Sequence, residues 1–510
     1  MNQNLNRREF LKVLGLTIAA STMYSEMPPR LFPNSKNDTQ NILIIVFDAL
    51  SAGHMSIYGY PRETTPNISK FAEKANVYHN HYSPANFTSP GTASLLTGVY
   101  PWTHRGFNLS GSVVEEFVDQ NLFSLLHGDM FTTSYTHNSW ANILLSQFSK
   151  HIDLFNPINL HGLAGKIYSQ QFFPSDYPAA FWSETILRGK EQLIPASLIF
   201  SKLEKELLKS KLVELKPDYE EKYPLVVPDN LYGMYFTLEE TIDWIQSQVV
   251  SLPQNYLAYY HLFPPHDPYR PRSEFLNQFD DGLKFIEKPV HYSIPDDSEV
   301  DPIIARQLYD EFISNVDSEF GRLINFMQNN GVLEDTIVIL TSDHGELFER
   351  GIVGHGTPAL YQNILHIPLL ISLPNQKVRK DFYSKTSSVD ILPTMLQLTG
   401  NRIPEIIDGI VLPGINSSSD DDERILYAVD TISTPKHSPI TQGTFTILKD
   451  HYKLIQNRHT KDDLSNELYD LENDPEEMEN LDADKRQISK ELESELSEQL
   501  GRVNQKNQNQ

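Results

Sequence analysis

Three short polar clusters in this 510-residue sequence each follow an apolar run, and each carries side chains able to bind a cation or move a proton. Asp48 ends the run Ile42 to Phe47, His266 follows Tyr256 to Phe263, and Asp343-His344 follows Thr336 to Thr341. A fourth stretch, from Thr88-Ser89-Pro90-Gly91 to Gly98, has the ends of a helix: Ser89 can cap it, Pro90 suits its first turn and Gly98 can stop it. Thr88 then stands at a helix N-terminus, where free backbone N–H groups and the positive end of the helix dipole attract a phosphate or sulfate.

Asp48, Asp343 and His344, together with the Thr88 oxygen, are the donors a single divalent cation needs. The imidazole favours manganese or zinc over calcium, which the carboxylates would also accept. Such a cation would lower the pKa of the Thr88 hydroxyl, and the resulting alkoxide could attack an ester while cation and helix end share the charge that builds up. Taken singly, Asp48 is an ordinary turn residue after a strand and Asp343 an ordinary cap in a Ser-Asp-His-Gly turn; their combination carries the reading. His266, within Pro264-Pro265-His266-Asp267-Pro268-Tyr269, and His355, within Gly354-His355-Gly356-Thr357, lie in rigid or glycine-rich loops rather than on apolar faces. Either can protonate a leaving oxygen or steady anionic oxygens near neutral pH.

The elements that position these residues follow from patterning. The runs ending at Asp48, His266 and Asp343 are continuous and rich in β-branched or aromatic residues, as in strands buried on both faces of a parallel sheet. Between them, Leu308, Phe312, Val316, Phe320, Leu323 and Phe326 recur at helical spacing until Asn329-Asn330-Gly331. Alternating strands and helices predict an α/β layered domain whose ligands bind beyond the carboxyl ends of the strands. This domain is expected over 39–416, with a partly helical insertion at 146–229 around a charged helix near Ser201 to Leu215. An acidic run from Ser417 to Glu423 opens a C-terminal subdomain, 417–500, with strand-like pieces at Ile425 to Val429 and Phe445 to Ile455. Its last helix presents Ile488, Leu492 and Leu496 on one face, and 501–510 is expected as a disordered tail.

Composition removes whole classes of chemistry. There is no cysteine, so disulfides, thiolate metal sites and cysteine nucleophiles are excluded. A formal charge of -25 argues against a nucleic-acid partner, which needs a basic face. Residues 1–38 begin with Asn6-Arg7-Arg8-Glu9-Phe10-Leu11-Lys12 and a modest apolar stretch, Val13 to Ala20. This resembles an export signal for the twin-arginine translocation machinery, and predicts a periplasmic, cell-surface or extracellular protein. No stretch approaches the roughly 18 to 20 apolar residues that cross a bilayer, and a lipoprotein anchor would require a cysteine.

The motifs as a set resemble the sulfatase family of the alkaline phosphatase superfamily. The matching stretches are Val46 to Leu50, Tyr58-Gly59-Tyr60 with Thr64 to Asn67, Thr88 to Gly98, His266 to Tyr269, Ser342 to Glu346, Gly354 to Gly356, Val389 to Thr394 and Glu467 to Glu476. The resemblance implies an alkaline-phosphatase-like layered α/β domain with a large mixed, mostly parallel sheet, and a small C-terminal α+β subdomain. It also implies Asp48, Thr88, Asp343 and His344 as metal ligands and His266 and His355 as substrate contacts. Sulfatases carry Cys or Ser in a Cys/Ser-x-Pro-x-Arg motif, oxidised to formylglycine. Here Thr88 holds that position and Thr92 replaces the arginine; oxidised threonine would be a ketone, so no formylglycine is expected. Phe47 also stands where many sulfatases have a second aspartate. The expected activity is hydrolysis of phosphate mono- or diesters through a covalent Thr88 intermediate, on a small-molecule, glycan or lipid-headgroup anionic ester. The alternatives are sulfate-ester hydrolysis without formylglycine, phosphoryl transfer as in relatives of the same superfamily, and a non-catalytic binding protein.

Overall fold

A computed structural model describes residues 40–508 apart from 109–110, 164–205, 208–209, 212, 215, 231–233, 292–300, 357, 416–423, 433 and 459–463. The twin-arginine-like segment, most of the expected insertion with much of its charged helix, and the acidic run therefore lie outside the described residues. None of the described helices is long and apolar enough to cross a membrane.

The strands are β1 (Asn41–Phe47), β2 (Asn76–Tyr82), β3 (Phe131–Thr136), β4 (Leu154–Phe155), β5 (Tyr256–Leu262), β6 (Thr336–Thr341), β7 (Leu347–Glu349), β8 (Ile352–Gly354), β9 (Leu369–Ser372) and β10 (Lys380–Ser387). Eight of them form one sheet in the order β10-β2-β9-β6-β1-β5-β3-β4, while β7 and β8 pair as a hairpin. All pairings in the large sheet are parallel except those of β9 with β2 and β6. The mixed, mostly parallel sheet that the resemblance implies is thus present.

β1 sits at its centre, and its alternation divides the core. Leu43, Ile45 and Phe47 face one layer of helices, which includes Ile242 and Ile245 and, from a long helix, Tyr309, Val316 and Phe320. Ile42, Ile44 and Val46 face the other, with Leu95, Leu144 and Leu392. The helices concerned are α1 (Thr88–Thr97), α2 (Ser139–Phe148), α3 (Leu238–Ser251), α4 (Pro302–Asn329) and α5 (Ile391–Leu398). The side chains of β1 from Ile42 to Phe47 are completely buried. Each such residue contributes about 1.5–3 kcal/mol, and a carboxylate between two apolar helix layers would be costly until the strand leaves the sheet. That is why Asp48 appears only at its end.

The C-terminal subdomain is an antiparallel sheet of β11 (Leu426–Asp430), β12 (Gly443–Lys449), β13 (Tyr452–Arg458) and β14 (Leu464–Asp470), with α6 (Arg486–Gln508). The stretch expected as one strand-like piece, Phe445 to Ile455, is instead a hairpin. Asp450 adopts a left-handed conformation, φ 52°, and reverses the chain between β12 and β13. α6 also runs on to Gln508 where a disordered tail was expected from 501. Leu500 and Val503 extend its buried face, and the Asn504 amide both accepts from the Ile440 N–H and donates to the Ile440 carbonyl.

One face of this sheet packs on α6, while the other packs Leu426, Ala428, Ile455 and Tyr469 against Leu347, Ile352, Tyr361 and Ile364 of the larger domain. A buried ion pair accompanies that contact: Lys453 Nζ lies 2.6 Å from Glu477 Oε1, and both side chains are fully buried. Glu477 Oε2 accepts from the Gln362 N–H, and Arg350 donates to the Glu477 carbonyl. Lys453→Met removes the cation and strands the carboxylate, so it is expected to destabilise the protein by about 3 kcal/mol. Urea denaturation at neutral pH checks this; a loss under about 1 kcal/mol would show that the pair is dispensable.

Candidate active site

Parallel register brings the polar residues together. β1 places Val46 beside His261 of β5 and beside Thr341 of β6, so the chain leaves the sheet at Asp48 next to His261 and Asp343. The turn after Asp48 is strained: Ala49 has φ 58°, a left-handed conformation that is uncommon for residues with a β-carbon. Four hydrogen bonds over-determine it. The Ala49 N–H donates to Asp343 Oδ1 (3.3 Å), the Leu50 N–H to Ser342 Oγ (2.9 Å) and the Tyr309 hydroxyl of α4 to the Ala49 carbonyl (2.6 Å), while the Ser51 N–H donates to that hydroxyl (2.9 Å).

α1 begins at Thr88, one residue before the cap expected at Ser89, and ends on Gly98, as the sequence predicts, in a left-handed conformation, φ 70°. Ser89 does not cap it. Phe87 occupies the cap position, no side chain caps the helix, and the buried Ser89 hydroxyl has no hydrogen-bond partner. Gly91 lets the helix lie directly on the Asp343 turn, since a β-carbon there would meet the Asp343 carbonyl at 2.3 Å.

Asp48, His261, Asp343 and His344 are completely buried. Asp48 Oδ2 accepts from Asn138 Nδ2 (2.5 Å) and from His261 Nε2 (3.1 Å), the latter also lying 3.6 Å from Asp343 Oδ2. His344 Nε2 is 3.4 Å from Asp48 Oδ1 and 3.7 Å from Asp343 Oδ2. Asp48 Oδ1, Asp343 Oδ2 and His344 Nε2 are buried without a hydrogen-bond partner. Unpaired buried polar atoms are costly, yet these three share one small space. Two donors on one cation at ~2.1 Å sit roughly 3.0–3.5 Å from each other, close to the spacing seen. The donor set therefore fits a divalent ion. His261 is also within ligand range, its donor atom lying within 4.8 Å of those of Asp48 and Asp343. Since it already donates to Asp48, it fits better as the group that orients that carboxylate.

Electrostatics agree. Burial pushes the His344 imidazolium down, but Asp343 and Asp48 outweigh it and raise its pKa to about 9. Burial likewise opposes ionisation of Asp48, and His266, His261 and His344 overcome this to hold it well below the usual carboxylate range. The site draws positive charge to itself.

Thr88 opens onto a cavity of about 340 Å³, also lined by Asn138, His266, Asp267 and His355. Asn138 caps α2 through its carbonyl, accepting from the Trp140 and Ala141 N–H groups. Its amide is thereby turned back, donating to Thr88 Oγ1 (3.1 Å) as well as to Asp48. The two histidine rings stand 4.5 Å apart by centroid, and His355 is 4.3 Å from His344. His355 Nδ1 donates to the buried Glu346 carboxylate (2.8 Å) and His266 Nδ1 to the Asp267 carbonyl (2.7 Å), so Nε2 of each remains for a ligand. Burial lowers the His266 pKa, but Asp267, Asp48 and Glu346 raise it overall to about 10. Burial opposes ionisation of Asp267, which His266 and His355 nevertheless hold at about 2.

Of the six residues singled out in the sequence, Thr88, His266 and His355 thus line one cavity, and Asp48, Asp343 and His344 form a buried cluster joined to it through Asn138 and the His344–His355 contact. Two further residues were not singled out. His261 is one polar residue inside an otherwise apolar strand, and only its register with β1 places it on Asp48. Asn138 reads as a helix cap, which it is, and nothing in the sequence shows where its amide points.

A family model described as Sulfatase matches residues 40–401, and one described as N-sulphoglucosamine sulphohydrolase, C-terminal, matches 357–506. The chain is 25% identical over 469 residues to the uncharacterized sulfatase YidJ of Escherichia coli (strain K12), spanning 86% of this chain and 82% of that one. It is 22% identical over 468 residues to a choline-sulfatase of Rhizobium meliloti (strain 1021), with the same coverage, 86% and 82%. In fold it is similar to the phosphonate monoester hydrolase of Agrobacterium radiobacter, with TM-score 0.62, 17% identity, and 92% and 96% of the two chains covered. A structure solved with D-glucosamine-2-N,6-O-disulfate as its substrate gives TM-score 0.63, 17% identity, and 93% and 99% coverage.

The orphaned donors predict a measurable affinity. Chelator-treated protein given Mn²⁺ or Zn²⁺ about 100-fold above its Kd should gain about 2.7 kcal/mol of stability in urea titrations. Asp343→Asn should abolish most of that gain, and an undiminished gain in the variant would place the ion elsewhere.

Proposed function

The chain belongs to the sulfatase family, and on that premise we propose that it is a metal-dependent ester hydrolase cleaving phosphate mono- or diesters through a covalent intermediate on Thr88. One observation carries this reading: the Asn138 amide ties Thr88 Oγ1 to Asp48, so the hydroxyl is held beside the donor cluster on a residue that lines the cavity. Asp48, Asp343 and His344, with Thr88 as a further ligand, would hold one divalent cation, manganese or zinc by donor type. When bound, such an ion acidifies a neighbouring hydroxyl and neutralises charge on a transferred group.

The rest falls to the chain's own groups. Thr88 Oγ1 passes its proton to solvent in the cavity and bonds to phosphorus as the bond to the leaving oxygen breaks. The uncapped N-terminus of α1 faces the transferred oxyanion with backbone N–H groups. His266 and His355, presenting Nε2, steady its oxygens and supply the proton that the leaving alcohol takes. Water then hydrolyses the Thr88 ester and restores the hydroxyl. Thr88 replaces the oxidisable residue of the formylglycine motif and no cysteine exists to be oxidised, which supports an unmodified nucleophile. Arg7-Arg8 and the apolar stretch after them support export by the twin-arginine route.

Sulfate-ester hydrolysis by the same machinery is the second reading, favoured by the names of the sequence relatives. Metal-replete protein offered nitrophenyl phosphate, its diesters and nitrophenyl sulfate separates the two: preference for sulfate over every phosphorus ester would establish the second. Thr88→Ala should lower kcat/KM for the preferred ester by at least ~10³. An unchanged rate in the purified, metal-loaded variant would end the nucleophile assignment.

A further inference from the structure

Beyond its reacting end, the cavity is walled by Phe87, Trp140, Phe263, Val353 and Ile432. Among the described residues no lysine or arginine lines it. Its one carboxylate, Asp267, is 42% exposed and stands on the solvent side of His266. We infer that the group esterified to the reacting phosphate or sulfate is uncharged and apolar, about the size of one aromatic ring, and that the site disfavours polyanionic glycans. This rests on the reading of Thr88 as the reacting group, because that residue marks which end of the cavity is chemical.

Charge and size point the same way. The single anionic charge of a phosphodiester or sulfate ester meets His266, His355 and the cation cluster. A second anionic group would lose its water against aromatic and aliphatic walls with no cation among the described lining residues to replace it, and would approach Asp267. The field of a chain of net charge -25 adds long-range repulsion. An apolar substituent gains from the same walls, and the aromatic faces suit a ring. A volume of about 340 Å³ lies at the small end of the ~300–1,000 Å³ typical of ligand pockets, room between the walls for the transferred group and one ring.

The wall is also preformed. Phe263 is 3% exposed and packs edge-on against Phe236 and beside His266. Ile432 reaches the cavity from the C-terminal subdomain, where its N–H donates to Asp430 (3.2 Å) and its carbonyl accepts from Asn108 (3.1 Å). The subdomain thereby contributes to specificity without touching the reacting atoms.

The test uses phenyl nitrophenyl phosphate and its ring-carboxylated analogue, which differ only in one charge on the non-reacting ring. Full-length metal-loaded Thr88→Ala, lacking the hydroxyl, reports binding by calorimetry apart from turnover. It should bind the phenyl ester at least about tenfold more tightly, and Ile432→Lys, added at a half-exposed position, should cut that preference severalfold. Equal binding, preference for the carboxylated ester, or no measurable binding of either would overturn the inference. Selective binding without turnover by the wild type would count against the Thr88 mechanism alone.

Discussion

Two carboxylates, Asp48 and Asp343, meet at the carboxyl ends of neighbouring parallel strands inside a fully buried site, and no lysine or arginine among the described residues pairs with either. Buried negative charge of this kind must be matched by positive charge. Histidines supply part of it, and the raised pKa of His344 shows the field asking for more. Much of the surrounding structure serves to hold the carboxylates in this unfavourable proximity. The left-handed Ala49 turn, the Tyr309 hydroxyl that pins it and the close approach of α1 at Gly91 all lock the geometry before any ligand arrives.

The same constraint explains how distant parts of the chain bear on the site. The β7–β8 hairpin connects Glu346 to His355, and its outer residues Leu347 and Ile352 are covered by the C-terminal sheet. The buried Lys453–Glu477 pair sits in that contact, and Ile432 carries the subdomain as far as the cavity wall. The subdomain is thus both a buttress for the histidine loop and part of the site's rim. Thr88 depends on the other side of the sheet, through an amide whose carbonyl half caps α2.

How much of this was legible in the sequence depended on whether a signal was local. The three strands announce themselves by apolar runs, and a polar residue directly after such a run lies at the sheet's carboxyl edge, so Asp48, Asp343 and His344 could be read with their neighbourhood. Thr88 was legible through the helix start and stop around it. His261 was not, because inside an apolar strand its meaning comes from register with a strand over 200 residues away in sequence. Asn138 was hidden by its commonplace role as a cap. The Ser89 cap failed because Thr88 itself is helical, which moves the cap position back to Phe87. The β12–β13 reversal at Asp450 lacks the glycine or proline that usually marks a turn, and α6 continues past Leu496 because Leu500 and Val503 stay on its buried face and Asn504 is held by Ile440.

We propose that the orphaned atoms of Asp48, Asp343 and His344 surround one cation beside the Thr88 hydroxyl. Anomalous diffraction from crystals grown with Mn²⁺ tests it most directly. One peak is expected at ~2.0–2.2 Å from Asp48 Oδ1, Asp343 Oδ2 and His344 Nε2, with Thr88 Oγ1 as a further ligand. A fully occupied peak elsewhere, with these three atoms left unliganded, would contradict it.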